Sequence, residues 1–264
     1  MQDPRKWMGE LLLRSPAPLR SLRDVPVLGD FIHRLSHCVI SPEEKVLAQI
    51  QAGPAQGLWL ELNPRTGQSY LRGEAEIASQ EILSDRLRPG MVFYDLGANI
   101  GLFSLLAAHI VGAGGKVVSF EPDPEVAARL RRNIARNGFT NVTVVESGVW
   151  SASGEVNFLP ADATSPDRGT GRFVTGERAS AAPVHCIALD DFIHETSAPD
   201  AIKCDVEGAE VEVLCGAENM LRTARPWILC EMHSIANDRA ARELLGRLGY
   251  SFQAVDDTHL LALP

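Results

Sequence analysis

The chain has 264 residues, 45% of them hydrophobic, and its 25 Lys and Arg against 34 Asp and Glu leave a net charge of −9. That apolar fraction builds a sizeable core and excludes a wholly disordered chain. The acidic balance argues against general nucleic-acid binding, which needs basic surface to replace phosphate counterions.

Residues 1–40 are rich in Pro and Arg, and Leu11-Leu12-Leu13 is cut off by Arg14 and Pro16 too soon for a signal-peptide core. Ser41 with Glu44 matches a capping box and Pro42 sits at the first helical position, so a helix is expected to begin at Ser41. Residues 58–62 and 68–71 flank Asn63-Pro64-Arg65-Thr66-Gly67 and read as a hairpin. A helix over 74–87 follows, with Ala75, Ala78, Ile82 and Leu83 near one face and Pro89-Gly90 as its stop. Residues 1–90 therefore read as an N-terminal extension of helices and a hairpin, suited to capping a pocket or to a homodimer contact.

From Met91 onward, strands and helices alternate. Strands are expected over 91–96, 116–121, 142–146, 201–206, 227–231, 251–255 and 259–263. A helix over 124–137 has Asp123 as N-cap and Pro124 at its first position, with its arginines 129, 131, 132 and 136 read as the solvated side. Another over 237–248 buries Ala241, Leu244, Leu245 and Leu248. Strands buried on both faces and separated by amphipathic helices predict an α/β fold with a doubly wound, mostly parallel, seven-stranded sheet. Residues 160–183 carry Pro160, Pro166, Pro183, Gly169, Gly171 and Gly176, and read as a lid on the ligand edge; Arg168, Arg172 and Arg178 read first as solvated loop arginines, with contact to an anionic substrate the alternative. No apolar run approaches the roughly 18 residues of a membrane span. The five cysteines (Cys38, Cys186, Cys204, Cys215, Cys230) are odd in number and contain no C-x-x-C. They suggest neither a disulfide framework nor a zinc cluster, and the expectation is a cytoplasmic protein.

In a doubly wound sheet, ligands bind at the carboxyl ends of the strands. The first strand ends in Asp95-Leu96-Gly97-Ala98-Asn99-Ile100-Gly101 and runs into an apolar helix. Small residues let a ligand approach the backbone there, and a helix N-terminus favours a carboxylate. The second strand ends in Phe120-Glu121-Pro122-Asp123, where a carboxylate can accept both hydroxyl hydrogens of a ribose. A nicotinamide dinucleotide prefers G-x-G-x-x-G, and Asn99 occupies the position of its second glycine, crowding a pyrophosphate. S-adenosyl-L-methionine has no pyrophosphate and fits the pattern better.

The segment Val92-Phe93-Tyr94-Asp95-Leu96-Gly97-Ala98-Asn99-Ile100-Gly101 resembles the first motif of class I methyltransferases, and specifically of the FkbM-type family. Ser119-Phe120-Glu121-Pro122-Asp123-Pro124 resembles the family's second motif. Ile202-Lys203-Cys204-Asp205-Val206-Glu207-Gly208-Ala209-Glu210 resembles its Lys-x-Asp-x-Glu-Gly-x-Glu signature, and Leu229-Cys230-Glu231-Met232-His233 its fifth-strand ending. Upstream, Tyr70-Leu71-Arg72-Gly73 through Glu76 resembles the lead-in, which places a glutamate before the first motif. The resemblance covers about residues 58–235.

It implies a Rossmann-like class I methyltransferase fold. It also implies that Asp95, Gly97, Asn99 and Gly101 line the methionine end of S-adenosyl-L-methionine, with Glu121 at its ribose, Ser147 and Val149 beside the adenine, and Pro122 also in the cofactor set. Glu76 joins this cofactor set as the lead-in glutamate. Asp205, Glu207 and His233 are the candidate catalytic residues, at strand tips beside the expected methyl group; Glu210 reads as a helix-start residue. An alcohol acceptor needs its proton removed, which a His or carboxylate within hydrogen-bond reach can do. A hard divalent ion such as magnesium on Asp190, Asp205, Glu207 and Glu231 is an alternative, with a helix cap the preferred reading of Asp190. The resemblance implies O-methylation of a small molecule, sugar or natural product. Methylation of a nitrogen or a macromolecule, or a non-catalytic cofactor-binding role, are the other readings.

Overall fold

A computed structural model of the chain describes residues 44–160, 171–174, 180–194 and 196–264. The main sheet has seven strands: β3 (Val92–Leu96), β4 (Lys116–Phe120), β5 (Val142–Val145), β10 (Ala201–Cys204), β11 (Trp227–Glu231), β12 (Ser251–Ala254) and β13 (His259–Leu263). Their spatial order is β12-β13-β11-β10-β3-β4-β5. Pairing is parallel from β11 through β10, β3 and β4 to β5, while β13 runs antiparallel to both β11 and β12. Each strand lies where the apolar runs predict it, within two residues at either end.

Alternation along the strands feeds two cores, one on each face of the sheet. Phe93, Val117, Ala201, Leu229 and Leu261 pack on one face with α3 (Leu102–Val111) and with Leu130 and Ile134 of α4 (Pro124–Asn137). Tyr94, Val118, Ile202, Ile228 and Leu260 pack on the other with α5 (Leu189–Phe192), α6 (Glu210–Cys215), α7 (Glu218–Thr223) and α8 (Ile235–Arg247). Asp123 caps α4 by accepting from the N–H groups of Glu125 and Val126. Among the described residues no helix is long and apolar enough to cross a membrane. Cys186, Cys204, Cys215 and Cys230 are all free thiols.

The front segment departs from expectation at two points. Ser41 and Pro42 lie outside the described residues, but Val46–Gln49, where the expected helix would continue, is strand β1. Val46 and Ala48 are buried while Leu47 and Gln49 are more exposed, a period of two that suits a strand. Its partner is β2 (Trp59–Leu62), so the hairpin closes upstream. Gln68–Arg72 is then a short helix, α1, instead of the hairpin's second arm; the N–H groups of Thr66 and Gly67 turn back onto Asn63 O and lead into it. Helix α2 (Ile77–Arg86) buries Ser79, Gln80 and Leu83.

Strand β2 lies along α4. Asn137 Oδ1 and Asn133 Oδ1 accept from the N–H groups of Trp59 and Glu61, and Arg129 donates to Glu61 O from Nε at 2.8 Å. The expectation that all four arginines of this helix are solvated therefore fails at Arg129, which is buried. It satisfies a strand carbonyl that would otherwise be orphaned.

A second sheet follows the third main strand, in the order β6-β9-β7-β8, from β6 (Gly148–Val149), β7 (Gly154–Leu159), β8 (Arg172–Phe173) and β9 (Ala182–Ile187). Of the expected lid over 160–183, residues 161–170 and 175–179, with Arg168 and Arg178, lie outside the described residues. Arg172 and Phe173 belong to this second sheet.

Candidate active site

The tips of β3, β4 and β10 meet at the glycine loop. Gly97 takes φ +79°, and a Cβ built on it would stand 1.8 Å from the carbonyl oxygen of Asp205. Only a glycine lets the loops after β3 and β10 approach so closely. Gly101 takes φ +98°, and a Cβ there would meet Leu130 at 2.4 Å. Asn99 between them has φ +49°, which a short polar side chain tolerates better than most. Gly97→Ala is expected to destabilise the fold by about 3 kcal/mol or more, combining left-handed strain with a backbone overlap. A urea denaturation midpoint as high as that of the wild type would contradict this.

Glu121, at the tip of β4, is 7% exposed. One carboxylate oxygen accepts the N–H of Asn99 and the other the N–H of Asp123, each at 2.9 Å. Burial pushes its pKa up to about 7 against the pull of those two bonds. Asp95 is buried beside it; Ser104 Oγ donates to Oδ2 at 2.5 Å and pairs with Ser119 Oγ at 2.7 Å. Burial raises the Asp95 pKa to about 6, opposed chiefly by the Lys203 ammonium. Asp95 Oδ1 and Asn99 Oδ1 are buried without a hydrogen-bond partner.

A cleft opens from this loop. Its walls include Gly97, Asn99, Glu121, Pro122, Ser147, Val149, Asp205 and Glu207, which unites eight residues singled out by the sequence. Asp95 and Gly101 lie behind the walls. Ser147 spends its hydroxyl on the carbonyls of Gly148 and His185, at 3.0 and 2.9 Å. The opposite wall comes from the second sheet, where Phe158 and Phe173 meet edge to face with centroids 5.3 Å apart and Phe173 meets Trp150 at 5.1 Å. Gly148 and Gly171 make room for these rings: a Cβ on either would stand 2.4 Å from Phe173 or Phe158 respectively. No motif marked this aromatic wall.

At the tip of β10 the sequence Ala201-Ile202-Lys203-Cys204 hides a lysine in an apolar strand. Lys203 is 2% exposed, and its ammonium lies 2.9 Å from Asp205 Oδ2, 3.5 Å from Glu76 Oε2 and 4.4 Å from the centre of the Phe103 ring. Burial works against that charge, but Asp205, Glu76 and Asp95 outweigh it and hold the pKa above its ordinary value. Burial of Asp205 is in turn outweighed by Lys203, so its carboxyl is held below the usual range.

His233 follows β11. Its Nδ1 lies 2.8 Å from Glu210 Oε1 and its Nε2 lies 3.3 Å from Glu207 Oε2 and 3.7 Å from Asp205 Oδ1. The three candidate catalytic residues are thus one group. Glu210 is fully buried; Oε1 also accepts the N–H of Gly208 at 2.8 Å, and Oε2 accepts from Asn237 at 2.6 Å. The helix-start reading of Glu210 is incomplete, because the same carboxylate grips the imidazole. The hydrogen bond to Glu210 is the largest influence on His233 and raises its pKa to about 9. Burial raises the Glu207 pKa, and φ +53° at Glu207 turns the chain sharply into α6.

Glu76 lies outside the cleft walls. It faces Lys203 and His259, a histidine the sequence did not single out. Asp190 is also elsewhere: its carboxylate accepts from the N–H groups of Asn219 and Met220 and caps α7, so the four-carboxylate magnesium cluster is not assembled.

A seven-stranded sheet in this order, closed by one reversed strand and carrying a glycine loop and a carboxylate at adjacent tips, is the Rossmann-like fold of class I methyltransferases. The profile of the Methyltransferase FkbM domain matches residues 95–255, and the chain belongs to the FkbM methyltransferase family. It is 31% identical to 31-O-demethyl-FK506 methyltransferase FkbM of Streptomyces tacrolimicus over 248 residues, 81% of this chain and 88% of that one. It is 30% identical to hexuronic acid methyltransferase AglP of Haloferax volcanii over 177 residues, 66% of this chain and 69% of that one. The crystal structure of methyltransferase FkbM from Methylobacillus flagellatus KT superposes with a TM-score of 0.50 at 21% identity, over 67% of this chain and 44% of that one. That likeness bears on the fold alone.

Proposed function

We propose that this methyltransferase moves a methyl group from S-adenosyl-L-methionine to a hydroxyl of a small molecule, a sugar or natural product. The carrying observation is the cleft, with a ribose-type carboxylate at one end and a histidine–carboxylate group near the other. The residues fit the cofactor. Glu121 keeps acceptor lone pairs beyond its two backbone bonds for the ribose hydroxyls. The orphaned oxygen of Asn99, in the cleft wall, suits the polar groups at the methionine end, and the Asp95 carboxylate behind it adds negative charge that favours the ammonium. Pro122, Ser147 and Val149, with Phe158 and Phe173 opposite, offer an apolar slot with backbone polar groups for an adenine.

The cofactor supplies a methyl group already activated on a sulfonium. The chain's own work is to align an acceptor oxygen, exclude water and take up a proton. His233 Nε2 is the group we assign to the proton, with Glu210 holding Nδ1 and so fixing which ring nitrogen faces the acceptor. Asp205 and Glu207 flank Nε2 and stabilise the imidazolium that results. The hydroxyl target is supported by the names of two relatives, one acting on a 31-O-demethyl compound and one on a hexuronic acid.

Calorimetric titration of the full chain with S-adenosylhomocysteine, with NADH as control, tests the cofactor. Binding of S-adenosylhomocysteine alone is the expected result. Binding of NADH alone, or of neither, would overturn the assignment. Methyl transfer to uronic acids and to polyketide alcohols then tests the hydroxyl.

A further inference from the structure

Beside the cleft, three side chains converge in a way that proton transfer does not use. Glu231 at the tip of β11 and His259 at the start of β13 are partners in the antiparallel register, which puts both on one face. Glu76 reaches them from the front segment, from a residue held at φ +46° immediately before α2. Non-glycine residues in that conformation persist where the surroundings over-determine them.

His259 is 7% exposed, and its Nδ1 donates to Asp256 Oδ1 at 2.9 Å. The remaining ring nitrogen, Nε2, is buried without a hydrogen-bond partner, and so is Glu76 Oε2. Nε2 stands 3.6 Å from Glu76 Oε2 and 3.5 Å from Glu231 Oε2. Those separations are too long for N–H···O bonds, which run at roughly 2.7–3.2 Å. They match the edges of a coordination polyhedron: donors about 2.0–2.2 Å from a shared ion at a tetrahedral angle lie roughly 3.3–3.6 Å apart. All three donor atoms lie within 4.8 Å of one another. A carboxylate behind the imidazole, here Asp256, is what metal sites use to fix the ring and strengthen its donor nitrogen.

We propose that His259 Nε2, Glu231 Oε2 and Glu76 Oε2 form a binding site for a divalent transition metal in the manganese-to-zinc range. The imidazole selects for a transition ion over magnesium, and two carboxylates admit manganese as well as zinc. The Lys203 ammonium, 3.5 Å from Glu76 Oε2, is held more closely by Asp205 at 2.9 Å. A neighbouring set of Asp205, Glu231 and His233 has similar spacing. It lacks the buried nitrogen, since His233 is exposed where His259 is buried. Bound at the first set, an ion ties residue 76 of the front segment to the tips of β11 and β13.

The test uses the full chain stripped with EDTA, titrated with Co²⁺ by visible absorption and with Mn²⁺ by the spin-resonance signal of the free ion. One ion per chain is expected. His259→Ala and Glu231→Gln each weaken binding at least tenfold, and Asp256→Asn weakens it about tenfold while keeping all three donors. His233→Ala leaves binding within twofold. Absence of stoichiometric binding to the wild type overturns the proposal. So does affinity unchanged in His259→Ala, or a loss in His233→Ala as large as that in His259→Ala, which moves the ion to the neighbouring set. If His259→Ala does not fold, unchanged affinity in folded Asp256→Asn is decisive against it.

Discussion

Replacing His233 with alanine is expected to lower kcat by about 10²–10⁴-fold, the range of a lost general base, while S-adenosylhomocysteine affinity stays within about threefold. The split follows from position: His233 itself does not line the cofactor cleft, although its neighbours Asp205 and Glu207 do. A base works in its deprotonated form, and the His233 pKa is raised to about 9 by Glu210 first and by Glu207 and Asp205 after it. The logarithm of kcat/KM should therefore climb by about one per pH unit to roughly pH 9 and level above it. Glu210→Gln keeps a side chain of the same shape but removes the charge. It should move that inflexion down towards the ordinary histidine value while lowering the plateau, because a less basic imidazole is a poorer proton acceptor. A profile flat from pH 7 to 9 together with full turnover in His233→Ala would remove the histidine from the reaction. Asp205, its carboxyl held acidic by Lys203, would be a far weaker base.

What the sequence revealed of this molecule depended on whether the information was local. The seven main strands are apolar runs bounded by breakers, and a strand buried on both faces writes its burial into consecutive residues. The residues at their tips were legible for the same reason, because a fold rule fixes where the tips lie. Long-range pairing was harder. The sequence around Ser41 carries a helix start, yet Val46–Gln49 pairs with Trp59–Leu62, and the alternation of four residues was too short to outweigh a capping box. The second sheet escaped because β7 and β9 are separated by a long stretch rich in turn residues. With it went the aromatic wall: Gly148, Phe158, Gly171 and Phe173 meet only once those strands are paired. His259 was invisible for a related reason. Its partner Glu231 is 28 residues away in sequence, and only the antiparallel register brings them together. Lys203 was the one local signal left unused, a charge inside an apolar strand that had to be paired with acids.

Glu121→Gln should weaken S-adenosylhomocysteine binding by about 30- to 100-fold, because two charge-assisted hydrogen bonds to ribose hydroxyls become one neutral acceptor and one competing donor. The same substitution should alter how stability depends on pH. Burial raises the Glu121 pKa from 4.5 to about 7 in the folded chain. The native state therefore holds more protons than the unfolded chain between those values, and stability falls as pH rises through that window, then levels off. The full effect is about 3 kcal/mol, at 1.36 kcal/mol per pKa unit. Glutamine has no proton to lose, so its stability curve should be flatter from pH 5 to 7. Its gain above pH 7 stays below the full effect, because its amide nitrogen must face the N–H of either Asn99 or Asp123. Ligand binding runs the other way: ribose hydroxyls favour the ionised carboxylate, so wild-type affinity should rise with pH up to about 7 and the glutamine variant should show no such rise. Calorimetry at pH 6 and 8 on both proteins reads this directly. Equal affinities for wild type and variant at pH 8 would take Glu121 out of the ribose site. A carboxylate buried at a cost to the fold, at the tip of a strand, is most simply explained by the ligand hydroxyls that offset that cost when they arrive.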